Sequence, residues 1–188
     1  MRLKSVALSA LILLGVCGLT ASEATAHKLA IESGFYSLST KNVDTEESIS
    51  QFGAGVYQIQ YSIEAIPHLS AEVGYFLIIG SGLSGLDSNG LEAGASYFPF
   101  TNAEARVFRS EDGYLKTLDL FRPYIGAFFV QRQVSSASFA GYGAKLGTEW
   151  VFRAPWLLKA DARFVSYSNA DSAPVMEMTA NIGIGLEF

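Results

Sequence analysis

The sequence predicts an all-β protein: an eight-stranded antiparallel up-and-down β-barrel that crosses a bilayer, preceded by a cleaved signal peptide. Three observations carry this. Apolar and polar residues alternate with a period of two through eight separate segments, the signature of strands with one apolar face. After residue 26 no segment is continuously apolar for the ~20 residues a membrane-spanning helix needs, although hydrophobic residues make up 49% of the chain. The last stretch, Met176 to Phe188, alternates throughout and is long enough for a tilted transmembrane strand, which needs ~9–11 residues.

The start of the chain reads as a secretory signal. Arg2 and Lys4 form a basic start, Leu8 to Leu19 an apolar run too short for a membrane helix, and Ala24-Thr25-Ala26 a small-x-small cleavage site. Cleavage after Ala26 leaves residues 27–188 as one domain. It also removes the only cysteine, Cys17, so no disulfide supports the exported protein. A rival reading is a lipoprotein signal, Leu14-Gly15-Val16-Cys17, with Cys17 lipidated. It meets a bulky Val16 where that site takes smaller residues. The chain is acidic, with a net charge of −5, and no basic patch points to nucleic acid.

The strands follow in order. His27 to Ser39 sets Leu29, Ile31 and Phe35 against Lys28, Glu32 and Gly34. Ser50 to Ile63 sets Tyr57, Ile59, Tyr61 and Ile63 against Gln58 and Gln60, and Glu64 to Pro67 is a tight turn. Leu69 to Ile79 and Gly90 to Pro99 alternate strictly, with Glu72 and Glu92 on their polar faces. The charged stretch Phe100 to Thr117 reads as the longest connection, with one helical turn near Ala103 to Phe108. Leu118 to Gln131, Phe139 to Phe152 and Trp156 to Tyr167 are the next strands, and Met176 to Phe188 is the eighth. The polar loops 40–48, 80–89, 132–138 and 168–174 fall at the end opposite both termini.

The last strand ends on Phe188, with Ile184 and Leu186 alternating upstream of it. It resembles the closing strand of bacterial outer-membrane β-barrels, in which a C-terminal aromatic is read by the barrel-assembly machinery. ASYFPF and FRPYIGAFF are similar to segments of small barrels of the OmpA-barrel, OmpX-like and OmpW-like superfamily. The resemblance implies a Gram-negative outer-membrane location, surrounding lipid and lipopolysaccharide, a monomeric state and no cofactor.

Alternation alone leaves the outward face open, because a soluble lipocalin-like barrel turns the same apolar face inward. Aromatics end the apolar faces at the turn side (Tyr61, Tyr97, Trp150, Phe152, Trp156, Phe188), as an interfacial girdle does. The polar faces are rich in glycine, which suits a crowded lumen. With the apolar face outward, the lumen receives Glu72, Glu92, Lys145, Glu149, Lys159, Asp161, Arg163 and Glu177 with Gln58, Gln60 and Asn181. Buried charges need partners. A turn centred on Ala154 places Glu149 opposite Lys159 and Lys145 diagonal to Asp161, with Arg163 in reach of Glu177. The expectation is a charge-paired, packed lumen, as eight strands produce, rather than an open pore.

Raw material for catalysis is scarce. The chain has two histidines, His27 and His68, and no metal-binding or catalytic constellation. Ser166-Tyr167-Ser168-Asn169-Ala170 resembles the motif of outer-membrane lipid A deacylases. There a histidine two residues before the serine is the general base; here Ser166 holds that place, and Glu177 is the available carboxylate. The expected role is therefore structural, at the envelope or cell surface and without catalysis. The alternatives are a narrow channel for small or apolar solutes, as the OmpW-like relatives suggest, and a lipid A-modifying enzyme.

Overall fold

The computed structural model describes residues 26–41, 48–66, 68–80, 87–100, 106–110, 113–117, 121–134, 137–153, 155–168 and 175–188. The expected signal peptide and the lipidation alternative at Cys17 lie outside the described residues. Among the described residues ten strands form: β1 His27–Lys41, β2 Ser48–Ile66, β3 Leu69–Ile78, β4 Ser88–Tyr97, β5 Arg106–Ser110, β6 Gly113–Thr117, β7 Arg122–Val134, β8 Ala137–Arg153, β9 Trp156–Ser168 and β10 Val175–Glu187. Eight of them close into an antiparallel barrel in the order β1-β10-β9-β8-β7-β4-β3-β2, and β5 and β6 pair separately. Each barrel strand thus lies beside the barrel strands before and after it in the chain, β4 pairing with β7 across the separate hairpin, and closure leaves no free edge in the barrel. At the seam, the His27 N–H donates to the Phe188 carbonyl at 3.0 Å and the Phe188 N–H to the His27 carbonyl at 2.9 Å.

Several expected boundaries move. The stretch read as an irregular connection with a helical turn holds the hairpin β5–β6 instead; residues 106–108 are extended, and 103–105 lie outside the described residues. Paired RVFRS and GYLKT segments suit a hairpin better than a helix, which has no apolar stripe here. The fifth barrel strand begins at Arg122 rather than Leu118 and runs on to Val134, and the next begins at Ala137, so 132–134 and 137–138 of the expected loop are strand. Glu64 and Ile66, expected in a turn, still pair with β3 across a bulge.

A second bulge lies between β1 and β2, where the pairing skips Gly55. Its φ of +114° is glycine territory, and a Cβ there would sit 2.8 Å from the Ile79 carbonyl oxygen. The bulge keeps Val56 inside and Phe52 outside, so the alternation survives it.

The faces divide as a bilayer requires. Outside stand Ile31 (59% exposed), Ile125, Leu146 and Ile182 (66% exposed). Inside stand Glu32, Lys145, Lys159 and Arg163, each less than 5% exposed. Tyr97, Trp150, Phe152, Trp156 and Phe188 are exposed at the end where the barrel's first and last strands begin and finish, at His27 and Phe188, the place of an interfacial girdle. Tyr61, expected in the same girdle, is half-buried, its hydroxyl 2.7 Å from His27 Nδ1.

Candidate functional site: a charged lumen

Inward positions come from every second residue of each strand, so a lumen side chain is chosen by strand parity alone. In a barrel this narrow, long side chains from opposite walls meet. They do so in three layers.

The layer nearest the termini is built around Phe98. Its ring lies under Lys28 Nζ and the Arg122 guanidinium, each 4.9 Å from the centroid, and 5.3 Å from the ring of Tyr124. Lys28 pairs with Glu149 at 2.7 Å; Arg122 lies 3.4 Å from Glu187 and 3.6 Å from Glu64.

The middle layer is one connected cluster. Arg163 donates to both oxygens of Glu92 (2.8 and 2.9 Å), to both oxygens of Asp161 (2.9 and 3.0 Å) and to Glu32 at 3.3 Å. Such forked guanidinium–carboxylate contacts are the strong class of ion pair. Lys159 pairs with Glu32 at 2.9 Å and donates to Gln60, which donates to Glu72, the partner of Lys145. Gln58 donates to Glu92; Tyr124 and Asn181 donate to Asp161. The members come from β1, β2, β3, β4, β7, β8, β9 and β10, which are all eight barrel strands.

The layer at the opposite end is mostly apolar: Tyr36, Leu38, Val56, Phe76, Ile78, Phe128, Val130, Val165 and Tyr167 form one buried cluster. Within it Arg132 pairs with Glu177 and donates to Ser88 Oγ at 2.8 and 3.1 Å. A cavity of about 20 Å³ lies between this layer and the middle one, lined by Gln58, Glu92, Arg163 and Tyr167 among others; it holds roughly one water.

Each of the eight charged residues expected in the lumen, Glu72, Glu92, Lys145, Glu149, Lys159, Asp161, Arg163 and Glu177, is buried inside the barrel. The expected pairings need correction. The β8–β9 register does place Glu149 opposite Lys159, yet Glu149 bonds Lys28 and Lys159 bonds Glu32. Lys145 pairs with Glu72 rather than Asp161, and Glu177 with Arg132 rather than Arg163. Lysine and arginine stems carry the charge toward the barrel axis, where partners from distant strands lie closer than those along the wall. Lys28, Glu32 and Arg132 join the site although they stood outside the expected set. Arg132 falls in the expected loop 132–138; the continued alternation of Phe128, Val130 and Arg132 is the signal that carries the strand through it.

Ser166 and Ser168 are exposed on the outside of the wall, whereas Glu177 points into the lumen. Serine and carboxylate thus lie on opposite faces of the sheet, and no triad forms from them; Asn169 and Ala170 lie outside the described residues. Ser168→Ala is accordingly expected to leave the acyl pattern of lipid A unchanged by mass spectrometry, and an altered pattern would restore the deacylase alternative.

An apolar outer wall around a charged core is the inverse of a soluble barrel and belongs in a membrane; among solved structures, this architecture is that of bacterial outer-membrane β-barrels. Neisserial surface protein A is similar with a TM-score of 0.57 and 16% identity, over 88% of this chain and all of that one. The N-terminal β-barrel domain of Pseudomonas aeruginosa OprF is similar with a TM-score of 0.50 and 13% identity, over 85% of this chain and 97% of that one. Likeness at this identity is one of fold. The chain has the fold of the eight-stranded outer-membrane β-barrels. No family model and no curated protein matches it.

Proposed function

We propose that the protein is a non-conducting, non-catalytic structural barrel of the outer membrane, acting in envelope integrity or as a surface protein. The observation that carries this is the middle cluster: a bonded network reaching every barrel strand fills the cross-section a solute would need. A pore lined this way has no free charge to exchange with an ion, and opening it means breaking several buried pairs at once, each costly to break. The barrel acts as a monomer surrounded by outer-membrane lipid and lipopolysaccharide. Ile184, Leu186 and Phe188 serve as the signal read by the assembly machinery during insertion.

Planar-bilayer recording tests this. The purified barrel is expected to give no steady single-channel steps. Steps that disappear on substitution of Glu92 or Arg163 would replace the structural role with the channel alternative.

A further inference from the structure

The outer face of the wall changes character toward the end opposite the termini, and it changes on one side only. On β7, β8 and β9 the apolar exterior stops at Phe129, Tyr142 and Phe164, aromatics suited to a membrane interface. Beyond them the outward residues are Gln131, Gln133, Ser138, Ser166 and Ser168, with Ala140 the one small apolar residue among them. The interior changes the other way: apart from Arg132, bonded to Glu177 and Ser88, Val130, Val165 and Tyr167 are buried where Lys145, Asp161 and Arg163 stood lower down. Apolar inside and polar outside is the polarity of a sheet standing in water.

On the other arc the exterior stays apolar farther up, with Ser50 exposed beyond Phe52 near the end of β2. Met176 and Met178 on β10, Phe52 on β2 and Ile79 after β3 are 61%, 47%, 73% and 47% exposed. Phe52 stacks on Phe35 of β1 with centroids 5.9 Å apart. Ser37 and Ser39 of β1 interrupt this arc but are half-buried, Ser37 lying in register between Phe52 and Met178. The change falls between adjoining strands: Met176 on β10 is the register partner of Ser166 on β9. In the closed order, β10-β1-β2-β3 is one continuous arc and β9-β8-β7-β4 the other.

We propose that lipid covers the barrel lopsidedly, reaching farther up the β10–β1–β2–β3 wall than up the β9–β8–β7–β4 wall, so that the barrel is held tilted in the bilayer. Lipid acyl chains are the occupant that fits the higher patch. It is continuous with the belt below, which lipid already covers, and among its described outward side chains it holds no charge for a polar partner to meet. Mismatch between wall height and hydrocarbon thickness is relieved by tilt, and an uneven apolar belt gives that tilt a direction.

Nitroxide labels report depth directly. Phe52→Cys, Met176→Cys, Gln133→Cys and Ser168→Cys are introduced one at a time with Cys17→Ser, all at outward positions that leave the lumen intact. The proteins are reconstituted in phosphatidylcholine vesicles and power-saturated with oxygen and with a water-soluble nickel chelate. Labels at 52 and 176 are expected to be relaxed by oxygen and shielded from nickel, and those at 133 and 168 the reverse. Four labels of one kind would overturn the proposal, as would labels at 52 and 176 shielded from both relaxants, the result of a second copy covering the patch.

Discussion

Arg163→Ala is expected to destabilise the folded barrel by about 3–5 kcal/mol, the usual cost of removing one partner from a buried charge cluster. The side chain satisfies Glu92 and Asp161 through both of their oxygens and also reaches Glu32. Its loss leaves three buried carboxylates with Lys159, through Glu32, as the remaining cation bonded within that group. Arg163→Lys keeps the charge but loses the planar fork that serves two carboxylates at once, so an intermediate loss is expected. Glu92→Gln in the Arg163→Ala background removes one stranded charge, and the double variant should lose less than the two single losses summed. Urea unfolding in detergent or vesicles, followed by the gel mobility of unboiled samples, measures each value. A change below about 1 kcal/mol for Arg163→Ala, the scale of an exposed pair, would show that the middle cluster does not hold the barrel together.

Gly34→Val is expected to abolish the folded, fast-migrating form of the barrel in unboiled gels. Gly34 faces the lumen at the β1–β10 seam opposite Asn181, and a Cβ there would fall on the Ala180 carbonyl oxygen and within 2.5 Å of Asn181 Oδ1. A backbone oxygen cannot turn aside as a side chain does, so relief means parting the two strands that close the barrel. Overpacking ordinarily costs ~1–3 kcal/mol; opening the seam also unmakes the contacts of Glu32 with Lys159 and Arg163. Ser33→Val, one residue away on the outer face, meets only the outside of the barrel and is expected to fold normally. If both variants fold alike, the seam has room that the close approach of β1 and β10 denies.

These two substitutions mark how much of the protein could be read without its structure. Gln58, Gln60, Glu72 and Lys145 were legible as lumen residues because strand parity is a local property: once one face is known, every alternate residue follows. The β8–β9 register was legible too, since an expected turn centred on Ala154 sets Glu149 opposite Lys159, as the pairing does. Arg132 was hidden by a strand end, where polar residues at 131–133 resemble a loop. The β5–β6 hairpin was hidden by its shortness, since five-residue strands carry too few alternations to outweigh a dense run of charge. Ser166 and Ser168 carried a motif whose chemistry depends on a face, and the face is a property of the closed sheet.

Local pattern by itself determined that this chain forms long strands with one apolar and one polar side, and the residue types on those sides sent the apolar one outward. Only the closed barrel decided who bonds whom. Outward side chains diverge from a curved wall and meet their neighbours in the sheet, as Phe129 and Tyr142 do. Inward side chains converge, so Lys28 finds Glu149, Lys145 finds Glu72, and Arg163 finds Glu92 and Glu32. The distances that select these partners run across the lumen, and they exist only once the sheet has curved and closed.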